Sequence, residues 1–342
     1  MKWIFLIFLK ILKKSNIEMI KNPSFFIKKL IFMVNYNRES SLAINLVKIA
    51  SKITEWFRIK HTSSYIKKDD SPVTLADFAS QILIISEIRK NFPNDQIIAE
   101  EESSDFFNPK IEELIKRCFK SNLVHYEGDL EETLNYRGPS SNRQWTVDPI
   151  DGTKGFQENL AYAIGIGFMI GFEPKICAIG VPNYKNMKLA VFSAEKSQGA
   201  RVSYGDLAFT KLEVSNIEDI KSFRMCYSLH YNKPWVLDFA NSIGISSYIQ
   251  MDSMAKLCMI ADGSAEIYIK PLNVQHSYTW DFLPGDLLVR EAGGMITDLK
   301  GETIKYIDEK CIVSAPGLIA SNGLMHNDLL QALKFSSILK NS

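Results

Sequence analysis

The apolar positions change period along the chain, and the changes mark out its elements. In "ESSLAINLVKIASKITEWFR", Leu42, Leu46, Ile49, Ile53 and Phe57 recur at steps of three and four, the spacing of one buried helical face. In "KKDDSPVTLADFASQILIISEIRKNFP" a polar Pro turn precedes Leu75, Phe78, Ile82, Ile85 and Ile88, again at helical steps, and Pro93 closes the segment. Gln96 to Ala99 reads as a short buried strand that ends on the acids Glu100 to Glu102. Helix is expected over part of 103–123. The polar, turn-rich "HYEGDLEETLNYRGPSSNR" predicts an exposed insertion or flap.

Trp145 to Val147 is a strand leading into "DPIDGTKGF". The runs "LAYAIGIGFMIG", "PKICAIGVPN" and "KLAVFSAE" are small or β-branched and broken by Gly, which predicts antiparallel sheet through the middle of the chain. From about 222 the grammar alternates. Strands are expected in "FRMCYSLHY", "SYIQMDS", "AEIYIKP" and "MITDLKG", with helices over 233–244, in "MAKLCMIADG" and in "LPGDLLVREAGG". Helices and sheets alternate without Rossmann βαβ spacing, so a layered α+β fold is favoured over a doubly wound one.

Composition adds bounds. At 342 residues and 46% apolar, the chain can bury a sizeable core. Its 40 basic and 39 acidic residues give no whole-chain attraction to nucleic acid or an anionic membrane. The five cysteines, Cys118, Cys177, Cys226, Cys258 and Cys311, show no CxxC spacing and no secretory framework. Thiols in a reducing compartment, cytoplasmic or organellar, are the expectation. Residues 1–35 stand apart. "MKWIFLIFLKILKK" is apolar, but Lys10, Lys13 and Lys14 limit it to about half a bilayer span. A targeting segment, an interfacial helix and upstream sequence before a start at Met33 all fit it.

The chemistry concentrates in "WTVDPIDGTKGF". Asp148 and Asp151 flank Pro149, whose fixed φ stiffens the span, and Gly152 lets the backbone turn closely. Two carboxylates aimed at one point repel unless a cation joins them, and hard oxygen ligands beside room for a phosphate suit Mg2+. An Asx-turn with ordinary surface acids is the alternative for this loop taken alone. Asp77, in the first turns of a helix, and Asp281, placed ahead of another, each read alone as structural.

The ordered set "SPVTLAD", "EEES", "WTVDPIDGTKGF" and "WDFLPGDLLVREAGG" resembles the lithium-sensitive, magnesium-dependent phosphomonoesterases of the inositol monophosphatase superfamily, over about residues 40–335. "DDSPVTLAD", "GPSSNRQWTVDPIDGTKGF" and "IGVPN" look most like its 3'(2'),5'-bisphosphate nucleotidase branch. The resemblance implies an αβαβα layered fold. It implies a lobe over 36–220 with most of the acids, and a second α/β lobe over 221–342 that supplies Asp281. The family's metal ligands fall on Glu100, Asp148, Asp151 and Asp281, with the Ile150 carbonyl as a backbone ligand. Glu100 follows Ala99, where family members usually carry Gly. Asp77 and Thr153 match the pair that activates a water for in-line attack on a phosphate monoester.

On the substrate side, Gly152 and Thr153 are expected near the phosphate. "MDSMAKLCMIADGSAEIYIKP" resembles the branch's substrate stretch, with Ser253 and Lys256 at the nucleotide's phosphates and Lys270 where the branch carries Arg. His230 matches a base- or ribose-side histidine loosely, and Gly199–Ala200 resembles a small-residue turn near the centre. After "DGTKGF" the branch usually continues with Arg-Gly, whereas this chain has Gln157, Glu158 and Asn159. The implied activity is hydrolysis of the 3'-phosphate of adenosine 3',5'-bisphosphate, or of its 5'-phosphosulfate form. An inositol phosphate 1-phosphatase is the alternative, and a non-catalytic binding protein the different-class one. The expected partner is a small phosphate monoester, with no nucleic-acid polymer. Membrane contact is expected only through residues 1–35, and the state is monomer or homodimer.

Overall fold

The order of helices and strands follows from which faces of two sheets must be covered. The structure, a computed structural model, describes residues 36–60, 64–66, 72–103, 108–186, 188–272, 277–307, 310–312 and 317–336. The expectations for 1–35 and for the turn before Pro72 lie outside them. Residues Arg38–Ser342 form one compact unit.

Helix α1 is Asn37–Lys60, and a short antiparallel pair, β1 (Ser64–Ile66) and β2 (Pro72–Thr74), leads into α2, Leu75–Asn91. Next come β3 (Gln96–Ala99), α3 (Pro109–Ser121), α4 (Leu130–Asn135), β4 (Arg143–Asp151) and α5 (Thr153–Gln157). β5 (Ala163–Ile170), β6 (Glu173–Val181), β7 (Ala190–Glu195), β8 (Gly199–Tyr204) and β9 (Thr210–Leu212) follow as hairpins. Sheet order is β3-β4-β5-β6-β7-β8-β9, with β3 and β4 parallel and every other neighbour antiparallel.

The second half holds β10 (Arg224–Tyr227), α6 (Pro234–Ser242), β11 (Ser247–Gln250), α7 (Ala255–Ala261), β12 (Ile267–Pro271) and α8 (Thr279–Glu291). It ends with β13 (Met295–Asp298), the pair β14 (Lys305–Ile307) and β15 (Lys310–Ile312), β16 (Gly317–Ser321) and α9 (His326–Phe335). Its sheet runs β11-β10-β12-β16-β13, with β10 parallel to both β11 and β12.

The alternation of side chains in the second sheet builds the layers. Ile267, Ile269 and Ile319 pack with Val236 and Phe239 of α6 and Leu329 and Leu333 of α9. Their strand neighbours Tyr268, Leu318 and Ala320 join a separate core with α7, α8 and the first sheet. Period-two strands thus feed two cores at once. α8 lies against β4 to β8 and α7, and α2 lies on β4. Val47 and Ser51 of α1 come against Gly180 of β6. The result is helices, sheet, α7–α8, sheet, helices: the αβαβα order.

Two expectations are corrected. The 125–143 stretch is not an exposed flap throughout, because Leu130, Thr133 and Leu134 of α4 are buried and α4 packs on α2. α8 begins at Thr279, not after Asp281, so Pro284 sits inside it and Asp281 in its first turn. A proline this close to the start removes one main-chain bond and leaves the rest of the helix intact.

Candidate metal centre and active site

In a regular strand, residues three apart face opposite sides, so Asp148 and Asp151 would point away from one another. The pairing of β4 with β5 shifts register between these two residues. Pro149, lacking an N–H, fits such an irregularity, and its carbonyl accepts from Ser80 Oγ at 3.1 Å. Both carboxylates then reach a common point. Asp281 arrives there on the first turn of α8, and one oxygen from each of Asp148, Asp151 and Asp281 lies within 4.8 Å of the others.

The electrostatics ask for a cation. Asp148 is 1% exposed, and its Oδ1 accepts no hydrogen bond. Burial first, then the charges of Glu100, Asp151 and Asp281, push its carboxyl well above the usual range. Burial likewise pushes Asp281 up to about 7, against the pull of Lys270 and with further push from Asp151 and Glu100. At 4.8 Å each like-charged pair repels by roughly 3.5 kcal/mol at an effective dielectric of about 20. A hard divalent cation converts that repulsion into coordination and uses the orphaned oxygen. The residues present therefore fit a metal such as magnesium.

Glu100 leaves β3 where Ala99 pairs with Val147, and its charge acts on Asp148. Its neighbour Glu101 is buried and held through its main chain. Gln81 Nε2 donates to the Glu101 carbonyl at 2.6 Å, Glu101 N–H donates to Gln81 Oε1 at 2.8 Å, and Arg137 Nη2 donates to the same carbonyl at 2.8 Å. The chain just past α4 thus braces the acidic turn.

Asp77 has two jobs on two oxygens. Oδ2 accepts from Thr74 N–H at 2.8 Å and Thr74 Oγ1 at 2.6 Å, closing a capping box with the Thr74 side chain at the start of α2. Oδ1 faces Thr153 Oγ1 at 3.4 Å, and that hydroxyl also lies 3.2 Å from the Ile150 carbonyl. Capping fixes the carboxylate that the Thr153 hydroxyl meets.

Gly152 has φ +87°, and a Cβ there would sit 3.1 Å from Ser253 Cβ. The "DGT" turn therefore lies directly on the 252–256 stretch, where Met254 N–H donates to Asp151 Oδ2. Ser253 itself adopts φ +65°, a left-handed conformation unusual for a residue with a side chain. Lys256 is 4% exposed. Burial pushes its ammonium down to about 8, with Asp151 and Asp252 pulling the other way. Lys256 Nζ lies 5.1 Å from the Tyr268 ring centre, and Lys270 Nζ 4.5 Å from that of Phe282, next to Asp281.

His230 is partnered on both nitrogens: Nδ1 with Asp252 Oδ2 at 2.8 Å and Nε2 with Glu158 Oε2 at 3.2 Å. Although burial opposes it, the Ser228 hydrogen bond and the charges of Lys256 and His230 hold Asp252 below the usual carboxylate range. Asp252 and Glu158 were not expected here. Asp252 sits beside Ser253 in "MDS", a weak signal, and Glu158 stands in the segment that departs from the nucleotidase pattern. Gly199–Ala200 is not part of the centre, since Gly199 N–H donates to Glu291 at the far end of α8 from Asp281. Burial pushes the Cys226 thiol up to about 12 and those of Cys177 and Cys258 up as well, so these three do not suit nucleophilic work.

The sequence profile of the inositol monophosphatase family matches residues 37–337. The 3'(2'),5'-bisphosphate nucleotidase of Emericella nidulans is 33% identical over 349 residues, spanning 88% of this chain and 99% of that protein. The enzyme of the same name from Schizosaccharomyces pombe is 30% identical, spanning 84% and 92%. Among solved structures, an IMPase of Thermotoga maritima superposes with a TM-score of 0.63 at 19% identity, covering 86% of this chain and 96% of that one. Inositol monophosphatase from Anabaena gives a TM-score of 0.63 at 19% identity, covering 90% and 99%.

Proposed function

This chain belongs to the inositol monophosphatase family, and from that premise we propose that it is a magnesium-dependent phosphomonoesterase acting on adenosine 3',5'-bisphosphate. The 3'-phosphate is released, leaving AMP. The observation that carries the reading is one of placement: Asp148, Asp151 and Asp281 converge on one point, and the charges of Lys256 and Lys270 act on the same carboxylates. Cation-binding and phosphate-binding groups thus share a site. The nucleotidases of Emericella nidulans and Schizosaccharomyces pombe support the choice of substrate.

Glu100, Asp148, Asp151 and Asp281, with the Ile150 carbonyl, would hold magnesium. When bound, it neutralises phosphate oxygens and lowers the pKa of a coordinated water. The remaining work falls to the chain. Thr153 Oγ1 donates toward Asp77 Oδ1, which leaves the hydroxyl's lone pairs to accept a hydrogen bond from the attacking water and orient it. Asp77, fixed by Thr74, is the group toward which that water's proton moves. Lys256 and Ser253 are suited to the phosphate that does not react, and the charge of Asp252 favours the ammonium form of Lys256.

Phosphate release by the purified protein with magnesium tests the reading. A higher kcat/KM for adenosine 3',5'-bisphosphate than for inositol 1-phosphate is expected. The reverse order would make the chain an inositol phosphate phosphatase.

A further inference from the structure

His230 and Glu158 meet in a way that the phosphate chemistry leaves unused. Both ring nitrogens face a carboxylate oxygen, Asp252 at 2.8 Å and Glu158 at 3.2 Å, and the two bonds form together when the imidazole carries a proton on each nitrogen. Asp252 is itself fixed, accepting from Ser228 Oγ at 2.8 Å and from Leu229 N–H at 3.1 Å. Glu158 caps the end of α5, and Lys154, four residues before it, places Nζ 5.1 Å from the Tyr231 ring centre. α5 therefore grips the 228–231 loop at two points. What His230 retains is its ring face, with the side chain 17% exposed. Beside it in sequence, Leu229 and Tyr231 are 45% and 57% exposed. The ring lies one residue's reach from Ser253, which touches Gly152 of the catalytic turn.

We propose that Glu158 is a positioning residue: with Asp252 it pins both edges of the His230 ring, so that the ring presents its face to the planar base of a nucleotide ester. The inference rests on the nucleotidase reading and deepens it. A base has a π-face to lay on the imidazole, whereas an inositol ring has none; the Tyr231 ring, inclined 62° to it, can meet the base only by its edge. Glu158 stands in the segment where the branch usually carries Arg-Gly, and its carboxylate faces His230 Nε2.

The experiment uses the magnesium-loaded enzyme and two ligands that share a phosphate and a ribose, AMP and ribose 5-phosphate, titrated by calorimetry. The parent binds AMP more tightly. Glu158→Ala lowers the AMP-over-ribose-5-phosphate preference by roughly tenfold, the scale of one lost stacking contact. Glu158→Gln, which keeps an acceptor oxygen, restores most of it. His230→Ala lowers the preference at least as far, and the double variant goes no further than His230→Ala, as expected of two residues acting through one contact. An unchanged preference in Glu158→Ala, equal weakening of both ligands, or additive losses would overturn the proposal. A parent that hydrolyses adenosine 3',5'-bisphosphate over inositol 1-phosphate yet binds AMP no better than ribose 5-phosphate also overturns it, with the nucleotidase reading intact. A parent that prefers inositol 1-phosphate removes that reading and this one together.

Discussion

Asp148→Asn separates a metal centre from an ordinary acidic loop by the sign of its effect on stability. Asp148 is 1% exposed, has one oxygen without a partner, and shares a 4.8 Å cluster with Asp151 and Asp281. The substitution keeps the shape and removes one charge, so two of the three repulsive pairs disappear. At roughly 3.5 kcal/mol per pair, the full Coulombic relief is about 7 kcal/mol. The parent carboxyl already escapes part of this by holding its proton longer, which leaves about 1–3 kcal/mol. For a unit of this size that corresponds to roughly 2–8 °C in Tm. Scanning calorimetry in a chelator should therefore show Asp148→Asn melting above the parent. Adding magnesium should raise the parent strongly and the variant little, inverting the order, while turnover of the variant is almost wholly lost. If the variant melts below the parent in chelator and both respond alike to magnesium, the carboxylates are not a metal site.

Asp77→Asn should keep the fold and substrate affinity while kcat falls about 10²- to 10⁴-fold, measured across a pH range; full activity would remove its water-activating role. Lys256→Ala should lower kcat/KM for adenosine 3',5'-bisphosphate by roughly ten- to a hundredfold, mostly through KM, with a smaller change for inositol 1-phosphate. Equal damage to both substrates would count against a contact with the second phosphate. His326 supplies a pH dependence remote from the centre. It is 1% exposed between Thr297 and Ser321, and burial, with the Arg290 charge, pushes it down to about 4 from 6.5. The unfolded chain binds the proton more readily, so its contribution is complete above about pH 6.5 and is lost as pH falls toward about 4, by about 3 kcal/mol in all. Denaturant unfolding of the parent and His326→Gln over this range checks it: the variant's profile should be flatter, and parallel profiles would contradict the assignment.

The parts of the fold written in local period were legible. Helical steps from Leu42 to Phe57 and from Leu75 to Ile88 gave α1 and α2, and "QIIA" gave β3. The αβαβα layering came through resemblance, because period alone does not say which strands pair. What escaped is non-local or irregular. Pro149 in "DPID" is compatible with the register shift that turns Asp148 and Asp151 to one side, but does not by itself specify it. The polar text around α4 hid Leu130 and Leu134, whose burial depends on α2 lying above them. The helix expected in "LPGDLLVREAGG" starts earlier, at Thr279, where α8 packs against the first sheet. Asp77 was divided between a capping and a catalytic role, and its two oxygens allow both. The Glu158–His230–Asp252 chain joins three segments far apart in sequence, which no spacing rule connects.

The central claim is that these carboxylates hold magnesium for hydrolysis of one phosphate of adenosine 3',5'-bisphosphate. Phosphorus NMR of that compound with the purified protein tests it most directly, followed first in chelator and then after magnesium is added. In chelator no change is expected. After magnesium, the 3'-phosphate resonance should disappear, inorganic phosphate should grow in equally, and the 5'-phosphate should persist as AMP. Loss of the 5'-phosphate instead, turnover in chelator, or no turnover with magnesium would contradict it.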